Sequence, residues 1–269
     1  MLRTHRFMSC AVSALLIPIA SLRASELYGS SVVRQMLVTL DLRSGDVSDV
    51  GSLGDYIQDI TFNSNDGFIY GFEFEDDQTL RRISPADGTN VPIGQPITDY
   101  GWSNMHGMAY SPEEDRLFAT TFNGELLSVD PETGIPTHVG TLPAWVWGLA
   151  YNTLDQSLYG VSPFADGVLW QIDTDDATAK IIGQLGVDGG IEGLAFDPIR
   201  QQLLAVVIDS PWEDSLLIGI DPQTAATTPI GEIGSNDFIS GLAYVPEPAT
   251  FVLVMLGGMP WLARRRVRS

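Results

Sequence analysis

The sequence is nearly free of cysteine, because Cys10 is the only one among its 269 residues. Cys10 lies in a segment that we expect to be removed on export, so the rest of the chain cannot form a disulfide or offer a thiolate to a metal. Basic residues are also scarce between positions 25 and 246, where 7 of the 14 Lys and Arg face nearly all of the 34 Asp and Glu. Such an acidic body repels nucleic-acid phosphates and anionic lipid, so no nucleic-acid partner is expected.

Several catalytic patterns are absent as well. The chain has no Gly-x-Ser-x-Gly, P-loop, Cys–His pair or dinucleotide fingerprint, and Lys180 is its one lysine. Three histidines, His5, His106 and His138, are too few and too dispersed for a His-rich zinc site. No EF-hand loop or RTX-type repeat is present. We therefore predict no metal site, while a carboxylate site for Ca²⁺ stays open.

The first 24 residues have the three parts of a signal peptide. A basic start around Arg3 and Arg6 precedes an apolar run over residues 7–20, and small residues lead up to Ala24. The apolar run is short and interrupted for a membrane span, although an uncleaved anchor is the alternative. We predict a signal helix over residues 1–24, with cleavage after Ala24.

The segment over residues 247–269, with its motif beginning at Val245, also has three parts in order. They are Pro246-Glu247-Pro248, an apolar run over residues 249–263, and the arginines Arg264, Arg265 and Arg266. A helix of 15 residues reaches only about 22 Å, less than the roughly 30 Å of a hydrocarbon core. The run therefore favours a temporary anchor, and the positive-inside rule puts its arginines in the cytoplasm.

This order of unlike elements over residues 245–269 resembles the PEP-CTERM sorting signal. The resemblance implies recognition by an exosortase, a membrane protease-transpeptidase thought to cut near the Pro-Glu-Pro, in Gram-negative bacteria that make exopolysaccharide. It implies an inner-membrane-anchored precursor with its body outside the cytoplasm, and a cell-surface or extracellular product after processing. The signal does not identify what the body binds.

A four-residue phrase recurs through the middle of the chain. Copies of Gly-Leu-Ala-Tyr, some of them altered, begin at Asp59, Gly107, Gly148, Gly193 and Gly241. The spacings are 48, 41, 45 and 48 residues. A second phrase lies between them, in which an apolar residue and Asp or Ser precede a turn, as at Val129-Asp130. Four short strands in each unit of this length predict the blades of a β-propeller.

The last copy of the phrase lacks the return strand that follows the others. Residues 26–30 (Glu-Leu-Tyr-Gly-Ser) match the return strand Leu158-Tyr159-Gly160 and supply it. We therefore predict an all-β, five-bladed propeller of four-stranded blades over residues 25–246. The N-terminal strand closes the ring, and the signal helix and a C-terminal hydrophobic helix flank it. An open array and two sandwiches are the alternatives.

The repeat resembles bacterial propellers of the WD40-like or quinoprotein-like kind. No Trp-Asp signature or other family-defining motif is present. The resemblance therefore implies a fold and no activity.

The residues just before each phrase should meet at one mouth of the ring. They are Tyr56, Gln58 and Asp59; Trp102, Asn104 and His106; Trp145 and Trp147; Asp188 and Glu192; and Asp237 and Ser240. They differ from blade to blade, which favours one asymmetric site, although polar residues facing channel water are the alternative.

From these residues we select two sets of candidates. The candidate ligand-binding residues are Trp102, Asn104, His106, Trp145, Trp147 and Glu192. Their tryptophans would stack on sugars or, alternatively, pack between blades. The candidate catalytic residues are Asp59, His106 and Glu192, as an acid–base pair or a metal site.

Two functional hypotheses follow, beside a purely structural role. The favoured one is a binding or scaffold module that contacts glycan or an envelope protein, associated with an exopolysaccharide matrix. The other is an enzyme, namely a hydrolase, lactonase or cyclotransferase. An enzyme requires two mouth carboxylates, or a carboxylate and His106, to converge on one spot.

Overall fold

The computed structural model describes residues 26–74, 78–162, 167–208, 215–234 and 237–246. The first ten strands are β1 (Glu26–Ser31), β2 (Met36–Leu40), β3 (Val47–Ser52), β4 (Ile57–Asn63), β5 (Phe68–Glu73), β6 (Leu80–Ile83), β7 (Asn90–Ile93), β8 (Met105–Ser111), β9 (Arg116–Thr121) and β10 (Glu125–Val129). The second ten are β11 (Pro136–Thr141), β12 (Gly148–Asn152), β13 (Ser157–Ser162), β14 (Val168–Ile172), β15 (Ala179–Gln184), β16 (Gly190–Asp197), β17 (Gln202–Ile208), β18 (Ser215–Ile220), β19 (Thr227–Ile233) and β20 (Ile239–Val245). A short 3₁₀ helix, Ile97–Tyr100, lies between β7 and β8.

The strands form five antiparallel sheets of four strands each. Blades 1 to 4 are β4–β7, β8–β11, β12–β15 and β16–β19, and blade 5 has the order β20-β1-β2-β3. The inner strands β4, β8, β12, β16 and β20 contact one another in a closed ring. The prediction of an all-β, five-bladed propeller with four-stranded blades is confirmed.

The ring closes where the two ends of the propeller meet in blade 5. β1 pairs antiparallel with β20, so that Leu27 lies opposite Tyr244 and Gly29 opposite Leu242. The edge that β20 would otherwise expose is therefore paired within the chain, as predicted from the matching return strands.

Five hydrophobic cores hold the ring together, each between two neighbouring blades. The core between blades 1 and 2, for example, contains Tyr70 and Leu80 from one sheet and Met108 and Leu117 from the other. Inner and second strands are consequently buried on both faces, whereas the outermost strands such as β11 alternate between partly buried and exposed residues.

Turns between the third and fourth strands account for part of the acidic composition. Asp41, Asp130 and Asp221 each accept hydrogen bonds from the backbone N–H groups two and three residues further on. This geometry is an Asx-turn, in which the carboxylate replaces a backbone acceptor. Many of the acids are therefore explained by turn formation rather than by ligand binding.

The predicted helices over residues 1–24 and in the C-terminal segment lie outside the described residues. The domain boundaries near residues 24 and 246 stay predictions. Within the part of the chain that is described, no helix is long and apolar enough to cross a membrane.

Candidate functional site

The inner strands approach one another to backbone contact at the start of each repeated phrase. Four of these positions are glycines and the fifth is Asp59, and we call the five the axial ring: Asp59, Gly107, Gly148, Gly193 and Gly241. A Cβ on Gly241 would lie 2.6 Å from the Cα of Asp59, and one on Gly193 would lie 3.0 Å from backbone atoms of Gly241. Only glycine allows so close an approach, so the repeated glycine marks the floor of the mouth.

Strand pairing is irregular directly beside the axial ring. The register of the inner strand shifts between Ile57 and Ile60 in β4, between Met105 and Met108 in β8, and between Glu192 and Leu194 in β16. β20 has a similar shift opposite Ser30 and Ser31, and β12 begins only at Gly148. Such bulges take a residue out of the ladder and change the direction of its side chain.

The residues directly before the axial ring form one ring of unlike side chains, one from each blade. We call this set the variable mouth: Gln58, His106, Trp147, Glu192 and Ser240. All except Trp147 are at most 8% exposed. Buried polar groups need partners, so the contacts of each member show whether it has a structural task.

The hydrogen bond from Gln58 determines which ring nitrogen of His106 carries the proton. The Tyr56 hydroxyl donates to Oε1 of Gln58 at 2.7 Å, which leaves the Gln58 amide Nε2 to donate toward Nδ1 of His106 at 3.4 Å. Nδ1 is thus the acceptor, and the proton of the neutral ring sits on Nε2. Burial lowers the pKa of His106 to about 4, so the ring is neutral at physiological pH and presents one N–H donor.

His106 and Trp147 stack face to face across neighbouring blades. Their ring centroids are 4.8 Å apart and their planes differ by 3°. Thr120 holds the two strands together, because its hydroxyl accepts from the N–H of Gly107 at 2.9 Å and donates to the carbonyl of Val146 at 2.7 Å. The stacked pair is therefore supported by backbone on both sides.

Further aromatic side chains extend this pair into a continuous surface on one side of the mouth. We call it the aromatic wall: Tyr56, Phe74, Phe122, Trp145 and Trp147, joined through His106. Tyr56 lies 4.8 Å from Phe74, and Phe122 lies 5.8 Å from His106 and 4.8 Å from Trp145, measured between centroids. Trp145 is 46% exposed and Phe122 39% exposed, so the outer part of the wall faces solvent.

Glu192 is the acidic member of the variable mouth. It is 6% exposed, and its carboxyl has no hydrogen-bond partner among the described residues. Burial raises the pKa of Glu192 to about 8. A protonated carboxyl therefore lies in the mouth at neutral pH, and it can form a hydrogen bond with a ligand.

Asp59 has a structural task instead. One carboxylate oxygen accepts from the N–H of Ile60 at 2.9 Å and the other from the N–H of Met108 at 2.8 Å, and the N–H of Leu242 is a third donor. Burial raises the pKa of Asp59, and these three donors oppose that shift. The carboxylate thus joins three inner strands at the axis where the other blades have glycine.

The other residues predicted for the mouth are placed apart from the aromatic wall or are bound elsewhere. Trp102 stacks on His138 of the outer strand β11, with centroids 5.2 Å apart. Asn104 is exposed and its amide donates to Ser103 at 3.3 Å. Asp188 is exposed, and Asp237 accepts from Arg34 and Ser31 at 2.9 Å each.

Phe74 and Phe122 are members of the wall that the repeated phrase did not indicate. Each directly follows the second strand of its blade, β5 or β9. The loops after the second strands open at the same end as the starts of the inner strands. An aromatic residue directly after a second strand is thus the sequence signal that would have predicted these two members of the wall.

Asp59, His106 and Glu192 do not assemble into a metal site. No group of three or more His, Cys, Asp or Glu side chains with suitable geometry occurs in the described ranges. No hydrogen bond joins His106 to Glu192 there either. The carboxyl of Glu192 and the Nε2–H of His106 remain as two separate polar groups beside the wall.

Fold and site define the class as a five-bladed β-propeller with one asymmetric mouth. No protein-family model and no curated protein matches the chain. A solved protein of unknown function from Bacteroides thetaiotaomicron has a similar structure, with a TM-score of 0.59 and 14% identity over 85% of this chain and 66% of that one. TolB from Acinetobacter baumannii is also similar, with a TM-score of 0.51 and 13% identity over 77% of this chain and 52% of that one.

A gluconolactonase from Xanthomonas campestris is more distant, with a TM-score of 0.44 and 16% identity over 64% of this chain and 62% of that one. In each of these three cases part of the other protein lies outside the match. At such identities the likeness to the first two proteins shows the fold and nothing about the ligand.

Proposed function

We propose that the protein is an exported, transiently membrane-anchored β-propeller that binds glycan at its variable mouth, as an extracytoplasmic binding or scaffold module. The aromatic wall carries this proposal. Pyranose rings have apolar C–H faces that pack on aromatic side chains, and the side chains of Trp145 and Phe122 are partly exposed in the wall.

The polar groups beside the wall support the same ligand class. His106 presents an N–H donor in a fixed direction, and the Glu192 carboxyl has no hydrogen-bond partner among the described residues. Apolar surfaces with a few well-placed polar groups are typical of small-ligand sites, because the polar groups fix orientation. Sugar hydroxyls are suitable partners for both groups.

The proposed location is supported by the sequence alone. The signal-peptide pattern and the resemblance of residues 245–269 to a PEP-CTERM signal favour export, processing by an exosortase and association with exopolysaccharide outside the inner membrane. The triple change Pro246→Ala, Glu247→Ala and Pro248→Ala should leave an unprocessed precursor in the inner-membrane fraction. Release of a processed product by this variant would contradict the sorting proposal.

Thermal unfolding with a panel of neutral oligosaccharides tests the binding proposal. A ligand that binds only the folded protein raises Tm, and Trp145→Ala should abolish that increase. Trp102→Ala is the matched control, because Trp102 stacks on His138 rather than in the wall. No increase with any glycan, or an increase that Trp145→Ala leaves intact, would contradict glycan binding at this mouth.

One observation favours the second candidate, a propeller enzyme of the hydrolase, lactonase or cyclotransferase kind. The raised pKa of Glu192, about 8, suits a general acid at neutral pH. Turnover of ester, lactone or glycoside substrates that is lost in Glu192→Gln would establish this function. Turnover that Glu192→Gln leaves unchanged would exclude Glu192 as its acid.

A further inference from the structure

The carboxyl of Glu192 makes no hydrogen bond within the described part of the chain. Gln58 bonds Tyr56 and His106, and Ser240 donates to the carbonyl of Ile57 at 3.3 Å. Glu192 has no such bond, although only 6% of its surface is exposed. A largely buried acid whose oxygens bond no described protein group can accept a donor that a ligand supplies.

Basic residues near the mouth are already bound to other acids. Arg34 binds Asp237 at 2.9 Å and also pairs with Asp49. Arg81 donates to Glu73 at 2.9 Å. Neither guanidinium is thus available to pair with Glu192.

The aromatic wall and the charge of the body favour a cation as the missing partner. Aromatic faces attract ammonium groups through their quadrupoles, and Trp is the strongest of them. The excess of acids over basic residues in the body attracts cations toward the mouth. A hydrogen bond between an ammonium and a carboxylate is about twice as strong as one between neutral groups, so an ammonium satisfies Glu192 better than a hydroxyl does.

We propose that the variable mouth selects an amino sugar, with its free ammonium group at Glu192 and its pyranose ring on the aromatic wall. This inference rests on the proposed glycan binding and specifies its substrate class. The acetylated form of the same sugar has no charge at this nitrogen and offers Glu192 only neutral hydrogen bonds. The selectivity therefore depends on one functional group of the ligand and on one side chain of the protein.

Binding of the ammonium requires Glu192 to lose its proton. The titratable groups that face Glu192 across the ring are Asp59 on β4 and His106 on β8, while Trp147 and Ser240 on the other two sides do not titrate. On its own segment, Asp188 is exposed. Because His106 is neutral, ionisation of Glu192 dominates, and affinity for the amino sugar should rise from about pH 5 to about pH 7.

Calorimetric titration of the full-length protein with glucosamine oligomers and with matched N-acetylglucosamine oligomers tests the inference. We expect the glucosamine oligomer to bind at least about tenfold more tightly than the acetylated one at neutral pH. Glu192→Gln should remove that preference while retaining weak binding of both oligomers. Glutamine has nearly the same shape, and Glu192 is uncharged in the unliganded mouth, so the variant should fold.

Glu132→Gln is the matched control, because it makes the same chemical change at an exposed turn between β10 and β11. Equal losses in both variants would assign the preference to general surface charge and overturn the inference. Equal binding of the two oligomers by the unaltered protein would overturn it as well and leave glycan binding intact. Binding of neither oligomer would overturn the inference, while glycan binding itself is decided by the panel of neutral oligosaccharides.

Spermidine carries ammonium groups but no sugar ring, so its affinity shows how much the ammonium contributes without the ring. If the ring packs on the wall as inferred, spermidine should bind more weakly than the glucosamine oligomer and lose less affinity than the oligomer does on Trp145→Ala. Equal affinity for spermidine and the oligomer would overturn the assignment of an amino sugar.

Discussion

The two ends of the propeller axis are built from the same five strands but differ in regularity. At one end each inner strand contributes an aromatic residue, namely Phe62, Tyr110, Tyr151, Phe196 or Tyr244, and these line a cavity of about 110 Å³. At the other end the five equivalent residues are Gln58, His106, Trp147, Glu192 and Ser240. The repeated aromatic residues at the first end therefore serve the packing of the fold. The five different residues at the variable mouth are what binding of a single asymmetric ligand requires.

The axial ring separates these two ends, and breaking it should have the largest effect. Gly241→Ala would place a Cβ 2.6 Å from the Cα of Asp59, a backbone atom that cannot move without displacing β4. We expect a loss of about 3 kcal/mol or more in the free energy of unfolding, measured with urea.

Gly234→Ala is the control, since a Cβ there meets nothing within 4 Å. Similar stability losses in the two variants would show that the inner strands do not depend on close approach at the axis.

Asp59→Asn tests whether the fifth member of the ring is structural. An amide has one oxygen where the carboxylate has two, so at least one of the N–H groups of Ile60, Met108 and Leu242 loses its acceptor. We expect a destabilisation of about 1–3 kcal/mol in urea unfolding. A variant with unchanged stability would return Asp59 to the candidate catalytic residues.

The sequence predicted the blades because each strand and turn is encoded locally. The repeated glycine, the Asx-turn at Asp130 and the matching return strand at Leu27 each require one residue type in one conformation. The contacts of the mouth are not local in this way. That Trp102 stacks on His138 within one blade, while Trp147 stacks on His106 of the neighbouring blade, depends on side-chain directions, which neither spacing nor composition specifies.

Asp59 shows a second limit of the sequence. Its place in the repeat is that of a glycine, and its predicted position at the mouth makes it a candidate catalytic residue. The structure shows the carboxylate bonded to the backbone of three strands. A departure from a repeat therefore indicates a special position without saying whether the reason is structural or chemical.

Glu192→Gln should alter the pH dependence of stability. Glu192 has a folded pKa of about 8 against an ordinary value of 4.5, so it favours folding fully below about pH 4.5 and loses that effect as the pH rises toward 8. Glutamine does not ionise, so Tm of the variant relative to the unaltered protein should increase from about pH 5 to about pH 8. Each unit of pKa shift corresponds to about 1.4 kcal/mol, which sets an upper limit of a few kcal/mol.

Glu132→Gln, at an exposed turn, should show no such trend. A constant difference in Tm between the Glu192→Gln variant and the unaltered protein across this pH range would mean that Glu192 is hydrated and ionised in the folded state.

Trp147→Ala should have the most local effect, which is on His106. Removal of the stacked indole admits water to the imidazole, so the pKa of His106 should rise from about 4 toward its ordinary value of 6.5. NMR titration of the histidine ring protons measures this change. An unchanged pKa would show that Trp147 does not shield His106.

The histidines also allow the most direct test of the account, which is that the variable mouth binds the ligand. In the full-length protein with labelled histidines, His106 lies in the mouth and His138 lies on β11 beneath Trp102. During titration with a binding oligosaccharide, the ring signals of His106 should shift and saturate while those of His138 stay in place. Saturable binding that shifts His138, or that leaves His106 unchanged, would contradict the assignment of the site to this mouth.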